Sequence, residues 1–446
     1  MKCKALPLLL VAFGMVAVLT LGAQAQQTTA THQAQQTKST QLIRPEMRAK
    51  WKTWRTTMKG IRLPKKTGCF KASYPNTAWK ETKCKSAPPI PFTPRHGALP
   101  YTVGNGNDYF ANVGSNLLSS VTGSFRVVSG LTSISNYSLQ LNTDHFSTSA
   151  CNNSSDPSCR GWVQFIYSKS PSEVLIESWL IDWGSSTCPS GWTSYNNGGE
   201  LDCYINSPTT SSSVPLIADW PYIDLEGQTT SSTNEVTFYS GEGSASAESS
   251  DSVLDLSQGW NEAEFNVFGN CCSEQANLNS DTSFVVQMSL DDGTTTAPTP
   301  GSGGFTGETN SLSLVGSACP VAGSSYESPY LQFMESNDPS ATETCGTGGA
   351  DGNFVPTPYS SGTYTTNGGA PPTITFTETL SDSNPNADIY WTVPGCAGSV
   401  SGSDPLSAGG SFTLVYQSGS DCNPSGTMYA TASGELQSPV TSIDFP

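Results

Sequence analysis

The sequence predicts an all-β protein: a two-sheet antiparallel sandwich of the concanavalin A-like or jelly-roll type, followed by a small immunoglobulin-like β-sandwich. Three observations predict it. From Gly104 onward, short runs rich in Val, Ile, Phe, Tyr, Trp and Thr alternate with Gly, Ser, Asn and Pro. No stretch of that region has helical periodicity. About ten such runs fall within about 210 residues, enough chain to bury one substantial core.

The candidate strands of the main sandwich are Tyr109–Val113, Ser119–Val128, Tyr137–Asn142, Trp162–Tyr167, Val174–Trp183, Tyr222–Glu226, Glu235–Tyr239, Ala263–Phe268, Ser283–Leu290 and Ser311–Val315. Pro298–Gly304 reads as a loop inside this domain, because Thr309–Val315 still reads as a closing strand. A low-complexity stretch, Cys345–Pro371, leads to a second block. Its expected strands are Thr373–Glu378, Ala387–Val393, Ser411–Tyr416 and Thr427–Ala432. That module carries no evident chemistry, so a targeting or spacer role is expected by analogy.

The N-terminal region has a different texture. Lys2 and Lys4, the apolar run Leu6 to Leu21 and the small-x-small site Ala23-Gln24-Ala25 predict a signal peptide, hence an exported protein without a membrane span. Residues 26–60 are Gln/Thr-rich and then basic, with a short helix expected around Arg44 to Met58. Cys69 and Cys84 bracket a small loop, and Pro88, Pro89, Pro91 and Pro94 predict an extended, exposed stretch ending at Arg95-His96, a candidate processing point. The expected organisation is a signal peptide (1–25), a basic pro-segment (26–97), an acidic sandwich (98–318), a linker with a disulfide (319–370) and a small sandwich (371–446).

Charge divides the chain at the same place. Residues 1–97 carry +15, whereas residues 98–446 carry −32, with only Arg126, Arg160 and Lys169 as cations. A basic head on an acidic body is an intramolecular electrostatic pair. It should weaken as pH falls towards carboxylate pKa values near ~4, which predicts an acid-triggered zymogen; the alternative is a basic linker or cell-wall-binding arm. The strongly acidic body argues against nucleic acid as a partner.

Thirteen cysteines less Cys3 of the leader leave an even number, which in an exported chain predicts disulfides. Spacing proposes Cys69–Cys84, Cys151–Cys159, Cys188–Cys203, Cys319–Cys345 and Cys396–Cys422. Cys271 and Cys272 form either a vicinal bridge or two bridges elsewhere. No C-x2-C spacing and only three histidines argue against zinc. Asp251, Asp255, Asp281, Asp291 and Asp292 leave calcium open, without an EF-hand pattern. No metal and no cofactor is therefore implied.

Elimination narrows the chemistry. The acidic body has one histidine, His145, beside Asp144 in a turn-like segment that reads as surface, and no Ser sits in a G-x-S-x-G elbow. Carboxylates and carboxamides remain. Gln164 lies in a strand among aromatics. Alternation puts Glu262, Glu264 and Trp260 on one sheet face, and Glu177, Trp179, Ile181 and Trp183 on one face of Val174–Trp183. Glu177, Trp179, Trp183 and Glu262 are the candidate substrate-binding residues. A core face with one edge acid is the alternative.

These segments, in this order, resemble the eqolisin or glutamic peptidase family, and more distantly neprosin-type glutamic peptidases. Asn107-Asp-Tyr-Phe-Ala-Asn-Val113 is similar to the family's opening strand. Ser120 to Val127 is similar to its second strand, Trp179-x3-Trp183 to its Trp-rich strand, and Ala263-Glu-Phe265 to its Ala-Glu-Phe/Trp strand. The resemblance covers about residues 105–290. It implies a secreted, acid-acting endopeptidase made with a pro-segment. Gln164 falls at the catalytic Gln, with Gln140 as competitor. The family's catalytic Glu position holds Phe268, so the role passes to Glu264, or to Glu262, or activity is lost. The implied catalytic pair is Gln164 and Glu264: Glu264 as general base on water, Gln164 as donor to the oxyanion. Gln does not titrate, so the pair needs one ionised carboxylate and suits acid pH.

Two other readings compete. Trp220-Pro-Tyr-Ile-Asp-Leu-Glu226 is similar to the Glu-x-Asp-x-Glu strand of laminarinase-type glycoside hydrolases, with Tyr222 at the nucleophile position; Glu200-Leu-Asp202 is weaker. Trp179, Trp183, Trp192 and Trp220 could instead form the sugar-stacking platform of a non-catalytic lectin or adhesin. Expected partners are thus a protein or peptide substrate, alternatively a polysaccharide, and the protein's own pro-segment. The chain is expected to be monomeric.

Overall fold

The computed structural model describes residues 45–342, apart from 65–66, 89, 96–101, 198, 242 and 324–327. Beyond 342 it describes only the backbone of six strands. The expected signal peptide, the Cys396–Cys422 pair and the low-complexity stretch lie outside the described residues, as does His96 of the candidate processing point.

Among the described residues one α-helix, α1 (Pro45–Lys59), precedes the strands. Pro45 suits a first helical position, where its missing N–H costs nothing. Trp51, Trp54, Arg55 and Met58 follow helical spacing, and the last three are buried. The strands, in chain order, are β1 (Cys69–Ser73), β2 (Lys80–Glu81), β3 (Phe110–Asn112), β4 (Ser120–Ser129), β5 (Ser138–Thr143), β6 (Arg160–Lys169) and β7 (Ser172–Ile181). Then come β8 (Thr193–Asn197), β9 (Glu200–Asn206), β10 (Thr210–Ser211), β11 (Asp224–Thr229), β12 (Thr233–Tyr239), β13 (Gly243–Ser250) and β14 (Glu262–Phe268). The last of the main body are β15 (Gln275–Ala276), β16 (Ser283–Asp291), β17 (Thr299–Gly301), β18 (Thr309–Asn310), β19 (Ser313–Val321) and β20 (Tyr330–Ser336).

They form two large antiparallel sheets in a sandwich-like arrangement. The first runs β19-β20-β16-β4-β11-β12-β13-β1-β2, the second β17-β3-β14-β5-β6-β7-β9-β8, with β10 also on β7. Alternation explains the layering. From the second sheet, Leu139, Leu141, Val163, Phe165, Ile176, Ala263, Phe265 and Val267 point inward. They meet Val121, Phe125, Leu225, Val236, Phe238, Val286 and Met288 of the first. Phe125 lies 5.2 Å from Phe265, 5.4 Å from Trp220 and 5.0 Å from Phe284, ring centre to ring centre. Each such ring contributes roughly 1.5–3 kcal/mol by leaving water. Gly123 is required here, because a Cβ would meet the Phe265 ring at 2.1 Å.

Several strands are invisible to hydrophobic patterning. Gly243–Ser250 contains only small and polar residues, yet it joins β12 to β1. Cys69–Ser73, in the basic segment, extends the sheet of the acidic body, with Cys69 opposite Ala247. Tyr330–Ser336, in the stretch read as a linker, lies between β16 and β19. Cys69–Cys84, Cys151–Cys159 and Cys188–Cys203 are disulfides as spaced. Cys319 is disulfide-bonded, while its expected partner Cys345 lies outside the described residues. Cys271 is a free thiol, so no vicinal bridge forms. In the C-terminal block, Thr373–Thr377 pairs with Ser411–Val415, and a separate sheet contains Ala387–Gly395, Gly398–Leu406, Ser425–Ala432 and Thr441–Asp444.

Residues 51–95 of the basic segment pass over the outer faces of both sheets. Residues 51–59 of α1 lie on the first sheet. There Lys59 Nζ is 3.0 Å and Arg55 Nη1 3.9 Å from Asp224 Oδ2, and Trp54 and Met58 pack with Ala72 and Tyr239. The chain then passes through β1 and β2 and bridges Lys85 to Thr209. Residues 90–95 finish on the second sheet.

Candidate active site

The outer face of the second sheet is polar along one cross-strand row. Glu264 on β14 stands opposite Asn142 on β5, Asn142 opposite Gln164 on β6, Gln164 opposite Glu177 on β7, and Glu177 opposite Asn206 on β9. Alternation produces this row, since flanking residues such as Leu141 beside Asn142, or Val163 and Phe165 beside Gln164, turn inward. Glu264, Asn142, Gln164 and Glu177 are all fully buried.

Their hydrogen bonds are specific. Trp179 Nε1 lies 3.1 Å from Gln164 Oε1 and 3.0 Å from Glu177 Oε1, so one indole N–H touches both. Gln164 Nε2 donates to Gln140 Oε1 at 3.1 Å. The two candidate carboxamides are therefore partners rather than competitors. Glu177 Oε1 also accepts the backbone N–H of Phe92 at 2.8 Å. Burial pushes the Glu177 carboxyl well above its ordinary range, and the Phe92 and Trp179 N–H groups pull it partly back.

Glu264 has a different environment. Asn142 Nδ2 donates to it at 2.9 Å and Thr306 Oγ1 at 2.5 Å. Its carboxyl also hydrogen-bonds that of Asp108, which is equally buried. Burial first, and the Asp108 charge second, raise the Glu264 pKa well above normal. Two buried carboxyls in contact cannot both ionise, so the pair holds a proton between them. Glu335 lies nearby, bonded by Asn266 Nδ2 at 2.6 Å and Asn310 Nδ2 at 3.1 Å. Asp108, Asn142, Glu308 and Glu335 are missed by sequence reasoning. Only Asn142 carries a signal, in the alternation Ser138-Leu-Gln-Leu-Asn142.

Glu262 shares the face of Glu264 but is displaced along the strand. It accepts from Asn112 Nδ2 at 2.6 Å and Val103 N at 3.3 Å, and burial raises its pKa. Its neighbour Asp144 is pushed up to about 7, by burial and then by the Glu262 charge. His145 is half-buried, with both ring nitrogens shielded from water. Its ring stacks on Phe305 at 3.3 Å, and burial lowers its pKa well below normal.

Two indoles expected on this face are elsewhere. Strand β7 ends at Ile181 and Asp182 takes φ +53, which breaks the alternation. Trp183 accordingly packs in the inter-sheet core, its Nε1 donating to Thr187 O at 2.9 Å. Trp260 precedes β14 and packs on Phe165 in the same core. Trp179, Trp183 and Trp220 are 0 %, 4 % and 0 % exposed, so they offer no open stacking platform.

Asp224 and Glu226, the remnant of the glycosidase-like strand, lie on the outer face of the first sheet. Tyr222 belongs to a 3-10 turn, not to that strand. Asp224 is engaged by Lys59 and Arg55, and Glu226 accepts from Tyr239 Oη at 3.0 Å.

The row around Gln164 is covered by the chain itself. Phe92 packs on Ile166 and Leu175, Thr93 N–H donates to Glu308 Oε1 at 2.8 Å, and Pro94 bridges to Thr306. Val103 and Phe305 pack with Phe110, Trp162 and Trp179 on the same face. The stretch expected to be exposed is thus buried at Phe92, Thr93 and Pro94. Among the described residues no group of three or more His, Cys, Asp and Glu side chains could hold a metal ion.

The sequence matches no protein-family profile and no curated protein. Among solved structures, dimeric latent PorU from Porphyromonas gingivalis is similar over 73% of this chain at 9% identity, with a TM-score of 0.14. That is too low to carry an argument, and the match spans only 34% of the PorU chain.

Proposed function

We propose that the protein is an exported, acid-acting endopeptidase of the glutamic type, held as a zymogen by its own basic segment. The finer architecture we propose is a concanavalin A-like or jelly-roll sandwich with an immunoglobulin-like C-terminal module. The observation that supports the function most is the direct opposition of Gln164 and Glu177 beneath residues 92–94. In this reading Gln164 supplies the N–H donor for the oxyanion, and a neighbouring carboxylate is the general base on water.

Glu177 is the better base. It shares the Trp179 N–H with Gln164 and touches the peptide segment lying on the face. Glu264, the choice implied by the family resemblance, stands on the far side of Asn142 and is engaged by the Asp108 carboxyl. Burial keeps Glu177 neutral while the face is covered. Opening the face returns water to it and lowers its pKa, so removal of the segment supplies the ionised base.

The test is incubation of the purified full chain at about pH 3–4, near carboxylate pKa values. Loss of residues up to about 95, with cleavage of added casein, is the expected result. An intact chain and intact casein throughout that range would leave a carbohydrate-binding or adhesive protein as the better reading.

A further inference from the structure

We propose that the outer face of the second sheet is a track for an extended peptide with an aromatic-selective subsite, and that residues 91–95 occupy it as a built-in stand-in for substrate. The track deepens the peptidase reading and rests on it for cleavage, but not for binding.

The stand-in is held mainly through its own backbone groups. Phe92 N–H donates to Glu177 and Thr93 N–H to Glu308, each at 2.8 Å. The Pro91 carbonyl accepts from Cys272 N at 3.3 Å and the Thr93 carbonyl from Gly307 N at 3.1 Å. Arg95 N donates to Phe305 O. Such contacts do not read side chains, but they require a free N–H at the Phe92 and Thr93 positions. Proline or an N-methylated residue at either would take one donor away from a buried carboxyl.

Side chains are read at two places. The Phe92 ring, 2 % exposed, fills a pocket made by Ile166 and Leu175, both fully buried. Thr93 is also fully buried, with its hydroxyl 2.9 Å from Ser273 Oγ. Acidic residues are disfavoured at both places, because each would bury a carboxylate charge beside another carboxyl. Arg95 is exposed and unselected. The ligand class is therefore an extended, non-acidic peptide carrying a large apolar ring followed by a small hydroxyl residue.

Full chain carrying Phe92→Asp should release the stand-in, and Thr93→Pro does so by a second route. The probe is a fluorescent peptide with the sequence of residues 87–95, read by anisotropy, with thermal unfolding as the check that each variant is folded. The opened chains are expected to bind it and the unsubstituted chain to bind at least about ten-fold more weakly. On the opened chains, a peptide with Ala for Phe, or with N-methyl-Phe, is expected to lose about ten-fold or more, the value of one buried aromatic side chain. Equal binding of all three peptides, or no binding to a folded opened chain, overturns the proposal. If neither variant folds, hydrogen exchange on the unsubstituted chain decides: residues 91–95 exchanging as freely as an unstructured peptide also overturns it. A chain that binds but never cuts keeps the track and loses the peptidase. A chain that cuts without preferring an aromatic residue does the reverse.

Discussion

Gln164 and Glu177 stand directly opposite each other on neighbouring strands and meet at a single donor, the indole N–H of Trp179. A carboxamide and a carboxyl buried side by side each need such a donor. The indole thus fixes which oxygens face each other, and leaves the Gln164 N–H2 directed at Gln140.

Trp179→Phe isolates that donor. The ring packing against Tyr195 and Tyr204 is largely kept, while the N–H is lost to both partners. The expected cost is about 1–3 kcal/mol of stability, measured by urea unfolding, since two buried acceptors lose a hydrogen bond. Any activity of the matured protein should fall with it, and an unchanged midpoint and activity would mean the indole positions nothing.

At the other end of the basic segment, Asp224 anchors α1. Burial alone would raise its pKa, but Lys59 and Arg55 outweigh burial and hold it below the ordinary carboxylate range. Stability from this group is therefore present above the unfolded carboxylate pKa and lost only as pH falls through the depressed folded value. The helix contact should survive to lower pH than simple charge neutralisation near ~4 suggests. Asp224→Asn removes the stronger of the two carboxylates facing Arg55, 5 % exposed, and leaves Asp219; it should cost about 2–4 kcal/mol. Limited proteolysis within 51–59 across pH reads both effects.

Elsewhere the sign reverses. Asp144, Glu235 and Glu308 are each pushed up to about 7, in every case first by burial. Their folded pKa values exceed the unfolded ones, so between about pH 4 and 7 the folded protein keeps protons that the unfolded chain has released. Stability must fall as pH rises through that window, by at most about 4 kcal/mol per group. The melting temperature should accordingly be higher near pH 4.5 than near pH 7.5; the opposite order would show these carboxyls to be solvated.

Much of the fold is legible in the sequence because its strands alternate. Trp162–Tyr167 and Ala263–Phe268 place large apolar residues on the inner face, and the row of polar residues on the outer face comes from the same period. Gly243–Ser250 is not legible, because small polar residues give no period even where neighbours force a strand. Alternation misplaces Trp183, because a left-handed residue, Asp182, is invisible to it. Asp108, Glu308 and Glu335 escape sequence assignment to the site, since each reaches it from a loop or a distant strand. Their carboxyls are recognisable only by the donors they meet. Phe92 reads as part of an exposed proline-rich stretch, and burial of such a stretch is set entirely by the face it covers.

Whether Gln164 and Glu177 act together on a peptide bond is decided by kcat/KM for one peptide at about pH 4, compared among matured wild type, Gln164→Ala, Glu177→Gln and Glu264→Gln. Joint action predicts a loss of about 10²–10³-fold for Gln164→Ala, the value of one oxyanion donor, and at least as much for Glu177→Gln. Glu264→Gln should lose far less, because that carboxyl stands beyond Asn142, one strand further from Gln164. Unaltered rates in Gln164→Ala, or a loss confined to Glu264→Gln, would contradict it.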